Sequence, residues 1–416
     1  MDGTLFVGLD VGTTSSKAVV FTRDGEPVSA GRAATPWTTT VTGAELDAIA
    51  LLRAAISAVA DALTECPPGP VGGLGVASIA ESGVLLDRSG APVAPVVAWH
   101  DTRDRAELES LRCAFAAEEF SATTGLPLRQ QWSLTKHRWL IDNIPSATRA
   151  VRRLNVAEWI VRGLGGHEAT EQSLASRTGW LRLAERDWWD DTLQWSGANR
   201  SLMPEIVTAG TSLGQVSDDV GLPRLTGAVL TVAGHDHQAA AIGAGADGPG
   251  DELDSCGSAE ALVRTISPGL PGDVVAQLAD AGITTGWHAV ADHWCLLGAT
   301  QGGLDLHRVL ARLGTDIADL PALDAEAVAV APQPNDSRAH VWRAALEHVT
   351  EQAAEIHDAM TAVSGTHHRL VVTGGWSRSA GLLEVKRRRF GDFVLSGVDE
   401  AGARGAALLA ARAAAS

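Results

Sequence analysis

The feature that most constrains this fold is an opening pattern that the chain uses twice. Leu5-Phe6-Val7-Gly8-Leu9-Asp10 reads as a buried strand, Gly12-Thr13-Thr14-Ser15-Ser16 as a turn, and Lys17-Ala18-Val19-Val20-Phe21 as a second strand. Asp24-Gly25 then turns the chain into Val28-Ser29-Ala30, which makes an antiparallel meander. A dinucleotide-binding Rossmann domain begins instead with parallel strands joined through a helix. Gly245-Ala246-Asp247-Gly248-Pro249-Gly250 is the clearest cluster of breakers. After it, Leu253 to Val263 repeats the strand, small turn and strand, with Gly257-Ser258 in the place of Gly12-Thr13. The expectation is an α/β protein of two related halves, residues 1–246 and 247–416.

At 416 residues the chain is comfortable for two domains. Its net charge of -17 argues against nucleic acid as a main partner. It does not forbid a nucleotide, which backbone amides and a metal can hold. Four cysteines stand at no zinc or disulfide spacing. No signal-peptide pattern opens the sequence, and no apolar run approaches the ~18 residues of a membrane span. A cytoplasmic protein with reduced thiols and no membrane contact is expected. With 13 Trp and no Tyr, aromatic stacking in any site falls to Trp.

Between the two repeats, Glu45 to Leu63 carries apolar residues at helical spacing. Val71 to Ile79, Ser82 to Asp87 and Pro95 to Trp99 read as strands, and Thr135 to Ile141 and Ala157 to Leu164 as helices. The Trp-dense Trp188 to Ser196 predicts a packed surface. Beyond the boundary come helices over Leu304 to Leu313 and Val341 to Val363, a strand over Leu370 to Thr373, the turn Gly374-Gly375, and a small-residue helix from Ala401 to Ala414.

Chemistry concentrates in three places. Asp10 closes a strand and can hold Mg²⁺, while the hydroxyl-rich turn after it offers donors to phosphate oxygens, with Lys17 adding positive charge. The rival reading is an ordinary polar hairpin turn, and Walker A spacing is absent. Val232-Ala233-Gly234-His235-Asp236-His237 is a strand-to-helix junction, where Asp236 can cap the helix and also stands where α/β sheets place ligands. Gly374-Gly375 allows a nucleoside to approach the backbone, or is simply a tight turn. Two decoys are set aside. Gly243 to Gly248 matches GxGxxG but ends a helix, the reverse of the dinucleotide context. In His235-Asp236-His237 the side chains are expected to diverge, without a third metal ligand.

Taken in order, these pieces resemble the FGGY carbohydrate kinases of the actin/hexokinase/Hsp70 ATPase superfamily. The resemblance rests on Asp10–Lys17, Glu81–Asp87, Ala98–Arg103, Thr170–Gly179, Gly234-His235-Asp236, Gly257-Ser258 and Thr373–Ser379. It implies two ribonuclease-H-like domains, ATP with Mg²⁺, and transfer of the γ-phosphate to a small sugar. Asp236 would be the catalytic base and Asp10 the metal ligand. Thr13, Thr14, Ser15, Lys17 and Ser258 would face the phosphates, and Gly302, Gly374 and Gly375 would flank the adenosine. Glu81, Trp99 and Asp236 would hold the sugar, and closing of the cleft would exclude water. A homodimer is a further family-based expectation.

Three departures bear on that resemblance. The chain is short for the family. Val330–Asp336 stands where the family carries a Gly-Glu-Arg-x-Pro loop, and Trp376 replaces the third Gly of the adenosine turn. The residues around Asp236 and Ser258 are similar to the L-fuculokinase and rhamnulokinase branch. Glu81 matches glycerol kinases where xylulokinases have His. The acceptor is left among ketoses, deoxyketoses and polyols. A catalytically silent sugar- or nucleotide-binding homologue is the rival from another class; a mechanical ATPase is a third reading.

Overall fold

In the computed structural model, residues 3–330 and 337–416 are described, so most of the segment expected to replace the family loop lies outside the described residues. The opening meander forms as β1 (Leu5–Val11), β2 (Ser15–Thr22) and β3 (Pro27–Ala34), each antiparallel to the next. β4 (Val71–Ser78) adds parallel to β1, and β5 (Val229–His235) parallel to β4, giving the order β5-β4-β1-β2-β3. The second half repeats this plan. β6 (Asp251–Cys256) pairs antiparallel with β7 (Glu260–Ile266), which pairs antiparallel with β9 (Trp294–Thr300), with β8 (Thr284–Trp287) beyond it. On the other side β10 (Arg369–Thr373) and β11 (Val394–Leu395) run parallel to β6. The restart legible after residue 250 is therefore a second sheet of the same design.

β1 is apolar along its length because both its faces are covered. α1 (Ala48–Thr64) packs on one side of the meander. It begins three residues later than its apolar spacing implies. Ala44–Leu46 is instead a short strand between Thr38–Thr39 and Val96–Val97, and Asp47 Oδ1 then caps the helix by accepting from Ala50 N at 2.8 Å. Such a cap contributes about 1 kcal/mol. The strand expected over Pro95–Trp99 is reduced to those two residues. Pro95, which has no N–H to donate, stands at its entry.

The other face of the first sheet is covered by the last helix of the chain, α6 (Ala401–Ala413). Its small residues let backbones touch. A Cβ at Gly8 would lie 1.7 Å from Ala403 O, and one at Gly75 would lie 2.1 Å from Ala406 O. On its far side α6 meets α2 (Asp236–Ala244), where Cβ atoms at Gly243 and Gly405 would lie 1.8 Å from Ala401 O and 1.9 Å from Ala239 O. The second sheet is backed by α3 (Gly302–Leu313), α4 (Arg338–Ser364) and α5 (Ala380–Phe390) around Leu306, Leu310, Trp342 and Leu346. The Trp-dense segment forms a separate core in which Trp132, Trp180, Trp188 and Trp189 are buried together. No helix among the described residues is long and apolar enough to cross a membrane.

Candidate active site

Three stretches of the first sheet end at one cavity of about 230 Å³: the turn after β1, the segment after β4 and the β5–α2 junction. Leu297 and Ala299 of the second sheet close it. This is smaller than the roughly 300–1,000 Å³ of a drug-sized site, and it suits a small polar molecule.

The turn after β1 is tied down through its carbonyls. Thr35 Oγ1 donates to Gly12 O, Trp37 Nε1 to Thr13 O, and Thr35 N to Thr14 O. The backbone N–H groups of Thr13 and Thr14 find no acceptor among the described residues, as a phosphate-facing turn requires. Thr13 Oγ1 accepts from Trp99 Nε1 at 3.1 Å, so the phosphate turn and the proposed sugar wall are joined directly. Ser15 is placed differently from its expected role: its buried hydroxyl accepts from Arg32 Nε at 2.9 Å across the sheet. Lys17 is paired with Glu400 at 3.0 Å.

Asp10 ends β1 beside these groups. Burial, and then the charge of Asp236, raise its carboxyl to about 7, while Lys17 pulls the other way. Its Oδ1 is buried without a partner among the described residues. An orphaned carboxylate oxygen beside a second carboxylate and free phosphate-facing N–H groups fits a divalent cation carried in with a nucleotide.

At the β5–α2 junction Gly234 adopts φ +93, and a side chain there would strike Ser173 Oγ and Glu171 Oε2. Because the strand runs through His235, the N-cap is His235, and Asp236 is the first helical residue rather than the cap. Asp236 Oδ1 accepts from His237 N at 2.7 Å and lies 3.2 Å from His235 Nε2. Burial, then Arg177 and His237, hold His235 well below the usual range. Asp236 Oδ2 has no partner among the described residues. Burial chiefly raises the Asp236 carboxyl to about 7; the His237 N–H opposes this, and the Glu81 charge adds to it. The two histidine rings do not diverge as expected. They meet edge to face at 5.3 Å, because His237 is already on the helix.

Glu81 sits buried on the cavity wall with φ 66, a strained value for a residue with a side chain. Ser133 Oγ holds its carbonyl at 2.6 Å. Its Oε1 accepts from Arg177 Nε at 2.8 Å and Gln131 Nε2 at 3.0 Å. Arg177 lies inside a stretch that carries the family resemblance, but nothing in the sequence gave it this role. Gln131 and Arg129 line the cavity from an unremarkable loop that carried no signal. Behind the junction, burial raises Glu171 to about 7, and its Oε2 fastens Ser173 and Leu174.

In the second half the predicted residues gather at the β6–β7 turn. Ser258 is exposed in that turn. Gly302 approaches Glu260, with a built Cβ 2.7 Å from its Oε2, and Gly374 at φ +94 approaches Cys256 O at 2.5 Å, while Gly375 faces open space. Trp376 turns inward. It is buried, its ring 4.8 Å from that of His307, within the core around Trp342. Beneath the turn lie Asp254, Cys256 and Glu260, a grouping with metal-ligand spacing. The buried Lys386 ammonium already bonds both carboxylates there.

Comparison with known proteins agrees with this arrangement. The N-terminal domain of the FGGY family of carbohydrate kinases is matched over residues 5–243, and its C-terminal domain over residues 316–414. A glycerol kinase of Janthinobacterium sp. (strain Marseille) is 28% identical, with 91% of this chain and 84% of that protein covered. A xylulose kinase of Streptomyces coelicolor is 30% identical, with 78% and 68% covered. Among solved structures, xylulose kinase from Rhodospirillum rubrum superposes with a TM-score of 0.88 at 22% identity, covering 98% of this chain and 89% of that one. Plasmodium falciparum glycerol kinase with ADP gives 0.87 at 19%, covering 98% and 88%. The chain belongs to the FGGY family of carbohydrate kinases, enzymes that pass a phosphoryl group to an alcohol acceptor.

Proposed function

We propose that this enzyme transfers the γ-phosphoryl group of ATP to a hydroxyl of a small polyhydroxy acceptor bound in the 230 Å³ cavity, with Asp236 as general base. The observation that carries this reading is the asymmetry of Asp236. One oxygen is fixed by the His237 backbone N–H, with His235 Nε2 3.2 Å away, and the other is left free beside the cavity. Glu81, Trp99 and Gln131 orient the acceptor, Glu81 Oε2 being free to accept from a hydroxyl. Asp236 Oδ2 takes the proton of the attacking hydroxyl. Thr13 and Thr14 present N–H groups to phosphate oxygens, and Asp10 is the ligand for a metal. MgATP, when bound, supplies the phosphoryl group and neutralises the charge that develops on it. The phosphate turn and acceptor wall belong to residues 1–246, and the nucleoside side, around Ser258, Gly302, Gly374 and Gly375, to residues 247–416.

The names of the relatives put glycerol and xylulose first on the acceptor panel. ADP release from MgATP is measured across polyols, ketoses and deoxyketoses against a control without acceptor. Stimulation by one acceptor class is the expected result. Asp236→Asn is expected to cut that turnover by at least ~10² while MgATP binding persists. ATP binding with no acceptor-stimulated release would favour the silent homologue.

A further inference from the structure

The Glu81 wall of the cavity is steadied from the other half of the chain. Arg177 grips Glu81 along one edge of its guanidinium, with Nε 2.8 Å and Nη2 2.7 Å from the same Oε1. Its third nitrogen, Nη1, donates to Thr284 Oγ1 at 2.7 Å, and that hydroxyl donates in turn to Leu297 O at 3.1 Å. The Trp132 ring, 5.0 Å from the guanidinium, holds the plane of the fork. Thr284 holds its rotation within that plane. Glu81, Arg177 and Thr284 are all buried, where hydrogen bonds to charged groups are among the stronger ones. Fixing the fork fixes Glu81 Oε1, and with it the direction left to Oε2.

Thr284 belongs to β8 and so to residues 247–416. It is not one of the residues lining the cavity, although Leu297, opposite it across the β8–β9 ladder, is. Nor is its hydroxyl needed to dock β8 on the first half. Thr285 N donates to Gly125 O at 2.8 Å, Trp287 N to Ser176 Oγ at 2.9 Å, and Gln172 Nε2 to His288 O at 2.6 Å. The neighbours of Thr284 fasten this seam, which leaves its hydroxyl to the cation that grips Glu81.

We propose that Thr284 is a positioning residue for the acceptor: acting through Arg177, its hydroxyl orients Glu81 and so sets the affinity of the cavity for a polyhydroxy substrate. This deepens the reading of the cavity as the acceptor site and rests on it. The acceptor wall, carried by residues 1–246, is completed by a residue of the half that carries the nucleoside side. Thr284 touches neither acceptor nor nucleotide.

The test compares native enzyme with Thr284→Val, which removes the hydroxyl and keeps a branched shape suited to a strand, and with Thr284→Ser, which keeps the hydroxyl. ADP release is followed with glycerol, xylulose and the rest of the acceptor panel. Thr284→Val is expected to raise the acceptor KM by about three- to tenfold, with kcat and the KM for ATP little altered, and Thr284→Ser to recover most of the loss. In a Glu81→Ala background, where Arg177 has no carboxylate to aim, Thr284→Val is expected to change the acceptor KM by less than about twofold. Thr284→Val and Thr284→Ser decide the matter even if Glu81→Ala does not fold. An unchanged acceptor KM in Thr284→Val overturns the inference and leaves the kinase reading standing. So does a rise in both KM values that follows a loss of melting temperature, or a Thr284→Val effect as large in Glu81→Ala as in the native protein. Calorimetric titration with glycerol and with xylulose, without nucleotide, reads the same affinity independently of turnover. If an acceptor binds and no ADP release is stimulated, the kinase reading fails, and the change in its affinity on Thr284→Val still decides the role of Thr284. If no acceptor binds, both readings fall.

Discussion

Asp236 and Glu81 show how one residue's chemistry is set by its neighbours. A solvated Asp is ionised far below neutrality, whereas burial and the Glu81 charge bring Asp236 to about 7. A base works only when deprotonated. The acid limb of kcat/KM for the acceptor is therefore expected near pH 7 instead of near 4, falling about tenfold per pH unit below it. Asp10 titrates in the same range and feels Asp236, so the limb belongs to the pair. A flat profile down to pH 5 would count against the base assignment. Glu81→Gln removes a repelling charge, so its acid limb is expected at lower pH, together with a raised acceptor KM. It also strips Arg177 of its carboxylate, and loss of a buried partner commonly costs about 3–5 kcal/mol. The kinetics are therefore read only on material whose melting shows it folded.

Among the elements, the final helix matters most to the site. α6 is held at backbone contact by Gly8 and Gly75 of the sheet below it and by Gly243 of α2 beside it, and its own Gly405 completes the seam. Since α2 begins with Asp236, the position of the proposed base depends on a helix from the other end of the chain. Gly405→Val places new atoms against Ala239 O, where a Cβ alone would lie 1.9 Å away. Overpacking of this kind costs at least about 1–3 kcal/mol. Chemical denaturation is expected to show that loss, and turnover to fall more steeply than stability, because α2 has to shift. Melting and turnover like those of the native protein would refute the coupling. The same contact explains why the glycine-rich string at residues 243–248 lacks the form of a dinucleotide-binding turn. Gly243 is a packing contact, and Gly245, left-handed at φ 75, ends the helix.

For the whole molecule, the buried acids make stability depend on pH and on metal. Asp10, Asp236 and Glu171 are all raised to about 7. Between about pH 4 and pH 7 the folded chain holds protons that the unfolded chain has released. Their contribution to stability is thus complete below about pH 4 and is lost as pH rises through 7. A divalent cation at Asp10 relieves the repulsion left above pH 7. Mg²⁺ is accordingly expected to raise Tm more at pH 8 than at pH 5.5, and Asp10→Asn to abolish the difference. Thermal shift assays at the two pH values decide it; an equal Mg²⁺ effect at both, or one that survives in Asp10→Asn, removes Asp10 from the metal site.

Much of this architecture was legible in the residues alone, for local reasons. Alternating and continuous apolar runs, glycine-bearing turns and capping acids act over a few neighbours, so the meander, its restart after residue 250, and the strand-end placement of Asp10 and Asp236 follow from the chain itself. What docking decided lies far apart in sequence. The Lys17–Glu400 pair joins residues 383 apart, and α6 returns to the first sheet although the breaker cluster assigns its residues to the second half. Likewise Arg129 and Gln131 reach the cavity from a loop whose composition announces nothing. The raised carboxyls, the strain at Glu81 and the inward turn of Trp376 are also tertiary. Each depends on which distant groups exclude water from a site, and spacing along a chain carries no record of that.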